Sequence, residues 1–224
     1  MRPEMAHSLA AASHELLRRV AARRWAGDFY LAGSAALALY LGHRPVRDLD
    51  LMSGTQRLAP QERRDLLADL LELDPGLRVE TARDGYLFAR GGEGVGLKLF
   101  HYPYPLIDPE EEVEGLRVAA AADLGLMKLA ALVSRGDKRD FVDLHLLAQR
   151  LPLSALLERA GEKFGHVGDF ALQALKALAD VASAEAEPMP RLARPLAWEE
   201  VARWAQAEAR ALGRVHVGLE PARP

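Results

Sequence analysis

The sequence contains no cysteine, which excludes disulfide bonds and thiolate metal sites. It also has no apolar run of the roughly 20 residues that a membrane-spanning helix requires. Positive charge is not in excess, because the formal net charge is −3 at pH 7. Binding of nucleic acid would therefore require a local basic patch rather than the charge of the whole chain.

What the chain does contain is sufficient for a well-buried core. Half of its 224 residues are apolar and 27% are charged, which fits one large domain or two small ones. The segment Ala6 to Arg24 carries charges throughout, so it predicts an amphipathic helix rather than a signal peptide. We expect a cytoplasmic protein without a membrane partner.

The chain is organised around the stretch Tyr30 to Met52. Its first part predicts a short strand over Asp28 to Ala32, then the turn Gly33-Ser34, with Ser34 as the N-cap of a helix. Backbone N–H groups at such a helix start bind phosphate. The same pattern is also ordinary turn chemistry, and by itself it does not distinguish the two.

The helix is expected to end at Gly42, where a basic loop begins. In that loop Arg44 is a candidate clamp for a triphosphate, because its planar guanidinium matches phosphate geometry. The alternative is a loop whose charges face only water.

Two aspartates, Asp48 and Asp50, follow the loop in an alternating polar and apolar segment that is typical of a half-buried strand. A period of two places both carboxylates on one face, roughly 6.5 to 7 Å apart along the strand. Mg²⁺ binds one or two carboxylates together with phosphate oxygens and water, so the pair suits a metal–nucleotide complex. The alternative is an edge strand with two solvated acids.

Downstream, the pattern predicts a helix over Ala59 to Leu73 and strands over Gly76 to Thr81, Tyr86 to Arg90 and Val95 to His101. Lys98 is the only cation of the last strand and faces either solvent or a pocket. The acid-rich segment around 109–116 is expected to separate this region from a helical remainder. Within that remainder, helices are predicted over Ser154 to Phe164, Asp169 to Ala186 and Trp198 to Leu212.

Lys128 and Asp143 are the notable charges of the helical remainder. Lys128 lies in the middle of an otherwise apolar helix that Asp123 is expected to cap, and Asp143 is flanked by apolar residues in the next helix. In an antiparallel hairpin the two would be level, each roughly 10 Å from the turn. They would form either a structural ion pair or part of an active site.

The order of these motifs resembles the AbiEii/AbiGii-type nucleotidyltransferases, a branch of the DNA polymerase β-like superfamily. The resemblance covers nearly the whole chain. It is carried by the segments FYLAGSAALALYLGHR, RDLDLM, GLKLFHYPYPLI, DLGLMKLAALVSRGDKRDFVDLHLL and AEPMPRLARPLAWEEV. It implies an α+β fold, with a nucleotidyltransferase-like mixed β-sheet flanked by helices and followed by a C-terminal helical bundle. The expected domains are an α/β core over 1–116 and a helical domain over 117–224 that completes the active site.

The resemblance also implies roles in binding. Gly33 and Ser34 match the family's phosphate turn, Asp48 and Asp50 match its metal-binding D-x-D, and Arg44 lies where the family has an arginine before that motif. The implied cofactor is Mg²⁺ or Mn²⁺, and the implied substrate is a nucleoside triphosphate.

The implied catalytic residues are the two aspartates, Asp48 and Asp50, together with Lys128 and Asp143. Lys128 matches the lysine that contacts the nucleotide, and Asp143 matches the aspartate of the R-D-x-x-D helix. The sequence departs from the family pattern at Val46, where a serine is usual, and on the strand Val95 to His101, which carries no third carboxylate.

Two functions follow from the resemblance. The first is a Mg²⁺-dependent nucleotidyltransferase that moves a nucleoside monophosphate to a hydroxyl acceptor, either the tRNA 3′ end or a protein. Such an enzyme would be the toxin of a toxin–antitoxin or phage-defence system, with an antitoxin as partner. The alternative is a catalytically idle member of the fold that acts as a binding or regulatory module.

Overall fold

The structure is a computed structural model, and it describes residues 9–219. The chain divides into two compact units, with the division between Ala120 and Ala121. The predicted domain boundary at residue 116 remains a prediction, because compact units of one chain need not fold independently.

The first unit is built on a mixed sheet flanked by helices. Its strands are β1 (Tyr30–Ala32), β2 (Leu49–Ser53), β3 (Arg78–Arg83), β4 (Tyr86–Arg90), β5 (Gly96–His101), β6 (Glu111–Val113) and β7 (Leu116–Val118). Its α-helices are α1 (Ala11–Ala21), α2 (Gly33–Leu41) and α3 (Pro60–Leu73). The predicted helix at the N-terminus is present from Ala11, and its expected start at Ala6 lies outside the described residues.

Within the described residues, the strands form one seven-stranded sheet in the order β3-β4-β5-β2-β1-β7-β6. The central strand β2 runs antiparallel to β1 and parallel to β5. Leu49 and Leu51 point into the core and are fully buried, whereas Asp50 between them is partly exposed. The alternation predicted for this strand is therefore confirmed.

The acid-rich segment 109–116 is part of the sheet, because β6 and β7 form a hairpin and β7 pairs with β1. Two local predictions for this unit are wrong. The first strand begins at Tyr30, since Arg24–Asp28 forms a 3₁₀ turn. The N-cap of α2 is Ala32, so Ser34 lies inside the first turn of the helix.

The second unit is helical over the residues described. Its α-helices are α4 (Ala121–Ser134), α5 (Lys138–Ala148), α6 (Leu153–Glu158), α7 (Ala160–Phe164), α8 (Phe170–Ala179) and α9 (Trp198–His216). The predicted single helix over Ser154 to Phe164 is two short helices, and the one over Asp169 to Ala186 is α8 followed by a 3₁₀ turn at Val181–Ala184.

Helix α4 is buried on most of its faces, as its apolar sequence predicts. A Cβ on Gly125 would lie 2.6 Å from Leu156 Cδ1 and 3.0 Å from Leu147 Cδ2, so the helices pack closely there. Asp123 does not cap α4, because the helix starts two residues earlier. Its Oδ1 instead accepts a hydrogen bond of 2.7 Å from the buried Nζ of Lys163.

The predicted α+β class is confirmed, with a mixed sheet flanked by helices and a helical C-terminal part. Among residues 9–219, no helix combines the length and the apolar character that crossing a membrane requires.

Candidate active site

Asp48 and Asp50 occupy the middle of the sheet in the first unit. Asp50 lies in β2, opposite Ala32 of β1 on one side and Lys98 of β5 on the other. Asp48 immediately precedes β2. The exposed fractions of the two side chains are 32% and 21%, so both are half-buried.

The start of α2 lies against Asp50. Gly33 has a φ of +61°, a conformation that L-residues with a side chain rarely adopt. A Cβ on Gly33 would lie only 2.3 Å from Asp50 Oδ2. The first turn of α2, which contains Ser34, therefore lies next to a carboxylate, and the backbone N–H groups of helix starts can bind anions.

Asp48 is held by two hydrogen bonds and a further ion pair. The backbone N–H of Gly96 donates to Oδ1 at 3.0 Å, and Lys98 Nζ donates to Oδ2 at 3.2 Å. Arg90 Nη1 lies 3.6 Å from Oδ1. A Cβ on Gly96 would lie 2.7 Å from Asp48 Oδ1, so the glycine permits the close approach of the carboxylate to β5.

Lys98 faces the carboxylates. Of the two orientations that the sequence allowed, towards solvent or towards a pocket, the structure shows the second. Its Nζ lies 3.2 Å from Asp48 Oδ2 and 3.6 Å from Asp50 Oδ1. The local sequence around Lys98 and Arg90 indicates no role for either residue. The signal that could have found Lys98 is the pairing of β5 with β2, because parallel register places it beside Asp50.

Arg44 lies in the segment that joins α2 to β2. Only 9% of the residue is exposed, which leaves little of its surface for a triphosphate. Its role as a clamp remains a prediction.

The donor set at the centre of the sheet fits a divalent cation in part. Two carboxylates on one face are hard oxygen ligands of the kind that Mg²⁺ and Mn²⁺ bind, with phosphate and water completing the coordination. Across the described part of the chain, no group of three or more Asp, Glu, His or Cys side chains is placed to hold a metal. The site therefore suits a cation that brings most of its own ligands, as one bound to a triphosphate does.

Lys128 and Asp143 lie in the second unit, where they form the ion pair that their positions predicted. Lys128 Nζ is 2.6 Å from Asp143 Oδ2 and 2.8 Å from Asp140 Oδ1. Both carboxylates are fully buried, and Arg135 Nε also contacts Asp140 Oδ2 at 2.8 Å. The local sequence around Asp140 indicates no role for this residue.

The pKa of Asp140 reflects these contacts. Burial acts to raise it, but the charge of Lys128 and the hydrogen bond and charge of Arg135 together outweigh burial, so the pKa is lowered from its ordinary value. The carboxylate of Asp140 is therefore ionised at neutral pH. This buried network has a structural role whatever Lys128 and Asp143 do in a reaction.

The predicted site residues thus fall into two groups. The sheet unit brings together Gly33, Ser34, Asp48 and Asp50, and it also contains Arg44. The helical unit brings together Lys128 and Asp143.

The chain is similar to the crystal structure of a putative nucleotidyltransferase from H. pylori, with a TM-score of 0.58 and 18% identity. The match covers 95% of this chain and 100% of that chain, and it shows the fold. A Megavirus polyadenylate synthase also matches, with a TM-score of 0.46, 13% identity, 68% of this chain and 33% of that chain.

The family follows from the sequence. Residues 15–211 match the model of the family described as nucleotidyl transferase AbiEii toxin, type IV TA system. The chain therefore belongs to the AbiEii nucleotidyltransferase toxin family, and the predicted enzyme class, nucleotidyltransferase, is confirmed at this level.

A curated relative carries no assigned function. The chain is 32% identical over 141 residues to an uncharacterized protein of Aquifex aeolicus (strain VF5). The match covers 61% of this chain and spans 65% of the length of that relative.

Proposed function

We propose that the protein transfers a nucleoside monophosphate from a Mg²⁺-bound nucleoside triphosphate to a hydroxyl acceptor. The observation that supports this most directly is the contact between the Gly33 turn and Asp50, with Asp48 on the same face of the sheet. A turn that binds phosphate and a carboxylate pair that binds a cation are the two parts that a metal–triphosphate complex requires.

In the proposed reaction the acceptor oxygen forms a bond to the α-phosphorus, and the bond from that phosphorus to the bridging oxygen breaks. Pyrophosphate leaves, and the acceptor hydroxyl loses its proton. When bound, Mg²⁺ or Mn²⁺ would neutralise part of the negative charge on the phosphates. Asp48 and Asp50 would hold it, while the N–H groups at the start of α2 would orient phosphate oxygens.

The resemblance assigns contact with the nucleotide to Lys128 and a catalytic role to Asp143. Lys128 would neutralise charge on the transferring phosphate or on the leaving pyrophosphate. Asp143 would either orient Lys128 or accept the proton of the attacking hydroxyl. The 2.6 Å contact between them supports the orienting role.

The acceptor and the biological role belong to the same proposal. The description of the family supports a toxin with a cognate antitoxin partner. The proposed acceptor is the 3′ end of tRNA or a protein hydroxyl, and the proposed location is the cytoplasm.

A transfer assay tests the proposal. The protein is incubated with each α-labelled nucleoside triphosphate, Mg²⁺, and either total RNA or total protein. We expect label in one acceptor, and we expect Asp48→Asn to reduce transfer at least about 100-fold, because charge stabilisation of this kind contributes that much to catalysis. Asp65→Asn, an exposed change on α3 of the same unit, is the matched control and should transfer like the wild type.

A second candidate is a catalytically idle module that binds nucleotide without turnover. The observation in its favour is Lys98, whose ammonium lies beside both carboxylates and offsets part of their charge. Calorimetry with Mg²⁺ and a triphosphate separates the two candidates: binding without label transfer to any acceptor favours the module, and transfer that depends on Asp48 excludes it.

A further inference from the structure

The ammonium of Lys98 lies beside both carboxylates of the pair that, in the proposed function, would hold a metal ion. It lies 3.2 Å from Asp48 Oδ2 and 3.6 Å from Asp50 Oδ1, so one cation serves both acids. Two carboxylates on one face of a strand repel each other unless a positive charge lies beside them. Lys98 supplies that charge from within the chain.

The surrounding residues hold Lys98 in this position. Parallel pairing of β2 with β5 places its backbone directly beside Asp50. Its Nζ also lies 5.3 Å from the centre of the Phe88 ring, and that ring has Arg90 over it at 5.0 Å. Arg90 and the N–H of Gly96 fix Asp48 from the other side. The lysine is thus positioned by the sheet and by an aromatic ring rather than extending freely into solvent.

From this geometry we infer that Lys98 is a built-in counter-cation that controls metal loading of the Asp48–Asp50 pair. The inference rests on the proposed function, in which this pair holds a divalent ion. An ion that binds both acids must share them with the ammonium or displace it, and repulsion between the two cations weakens its binding. The protein without nucleotide therefore binds free divalent ions weakly.

The charge of Lys98 acts differently on a divalent ion that is already bound to a triphosphate. The complex carries net negative charge, so the positive charge of Lys98 attracts it while repelling the free ion. The ion and the nucleotide are then loaded together, and the phosphates supply ligands that the protein lacks. Lys98 is a positioning residue in this scheme, because it acts through the two aspartates and the charge of the incoming complex.

Binding of Mn²⁺ alone, measured by electron paramagnetic resonance or calorimetry, tests the inference without any turnover. We expect Lys98→Met to bind Mn²⁺ about tenfold more tightly than the wild type, because a like charge has been removed from the site. Lys176→Met removes the same charge from an exposed position on α8 and should leave the affinity unchanged. Adding Asp50→Asn to Lys98→Met should abolish the gain.

A second measurement uses thermal unfolding with and without Mn²⁺. Without the ion, Lys98→Met should melt below the wild type, because the pair has lost the one cation that contacts both carboxylates and only Arg90 remains beside Asp48. With saturating Mn²⁺ the variant should gain more in melting temperature than the wild type, since tighter binding gives a larger shift. Lys98→Gln, which is neutral and retains hydrogen-bonding atoms, should reproduce both effects if Lys98→Met does not fold.

Equal or weaker Mn²⁺ binding by both folded Lys98 variants would overturn the inference. This failure is distinct from failure of the proposed function, which the transfer assay decides. Transfer that depends on Asp48, combined with unchanged Mn²⁺ affinity, rejects only the role of Lys98. No Mn²⁺ binding by any variant, with or without triphosphate, rejects both.

Discussion

Gly33 and Asp50 are so close that no side chain fits on the glycine. A Cβ there would lie 2.3 Å from Asp50 Oδ2, and the φ of +61° would strain any other residue. The turn and the carboxylate are thus mutually adapted: the backbone at the start of α2 comes near the site only because position 33 has no side chain.

We expect Gly33→Ala to lose most of its label transfer, at least about tenfold, while the protein still folds. The added methyl must displace Asp50 or the turn, and misplacement of such groups by about 1 Å can cost up to about 100-fold in rate. The strained φ should lower the free energy of unfolding by about 1–3 kcal/mol. The measurements are the transfer assay and urea unfolding.

The control for this change is Gly27→Ala in the same unit. A Cβ on Gly27 would have no atom within 4 Å, so neither transfer nor stability should change appreciably. Full transfer by Gly33→Ala would show that the turn does not take part in the reaction.

The central part of this site was predictable from sequence because it depends on local patterns. Leu49 and Leu51 alternate with Asp50, so the face of the strand follows from a period of two. Gly33 was identified for its place after a strand, and the structure adds the specific reason, which is its contact with Asp50.

What the sequence did not predict depends on neighbours in space. The side of the sheet that Lys98 faces follows from the register of β5 against β2, which no local pattern determines. No strand was predicted at Glu111 and Glu112, because acids are uncommon in strands, yet pairing across the β6–β7 hairpin makes them part of one. Lys163 satisfies Asp123 over a separation of 40 residues, so capping chemistry at the start of α4 was the wrong inference.

The ion network of Lys128 allows a structural role to be separated from a catalytic one. Lys128→Met leaves the buried carboxylates of Asp143 and Asp140 with less compensation, and we expect a loss of about 3–5 kcal/mol in the free energy of unfolding. Lys128→Met with Asp143→Leu removes one uncompensated acid and should recover part of that loss. Urea unfolding measures both.

Label transfer by the same variants then decides the catalytic role. If Lys128 and Asp143 act in the reaction, transfer stays absent in the double variant even though stability is partly recovered. Recovery of transfer together with stability would assign the pair to structure alone.

His145 gives the second unit a pH-dependent stability. It is 7% exposed, its ring meets Trp204 at 4.9 Å, and Glu200 Oε1 lies 3.8 Å from its Nε2. Burial lowers its pKa below the ordinary value of 6.5, and the charge of Glu200 only partly opposes this. Below pH 6.5 the imidazole of His145 gains a proton in the unfolded chain. In the folded protein it stays neutral until the pH falls to its lowered pKa.

The free energy of unfolding should therefore fall as pH falls below 6.5, by up to about 1.4 kcal/mol per pH unit, until the folded pKa is reached. Above pH 6.5 the contribution of His145 to the free energy of unfolding is fully present. His145→Phe keeps an aromatic ring against Trp204 and should flatten this part of the profile, measured by urea unfolding at a series of pH values. His166→Phe, at an exposed position, should keep the wild-type slope. An unchanged slope in His145→Phe would contradict the assignment.

The pairing of β1 with β7 has a consequence for synthesis of the protein. Leu31 pairs with Val118, and β2 to β6 all lie between them in the chain. A nascent chain that has not yet reached β7 therefore exposes one side of β1, an apolar strand, as an open edge next to the carboxylate pair. Open edges of this kind recruit other strands. The sheet that carries Asp48 and Asp50 is therefore protected from misassembly only after the chain has been synthesised as far as β7.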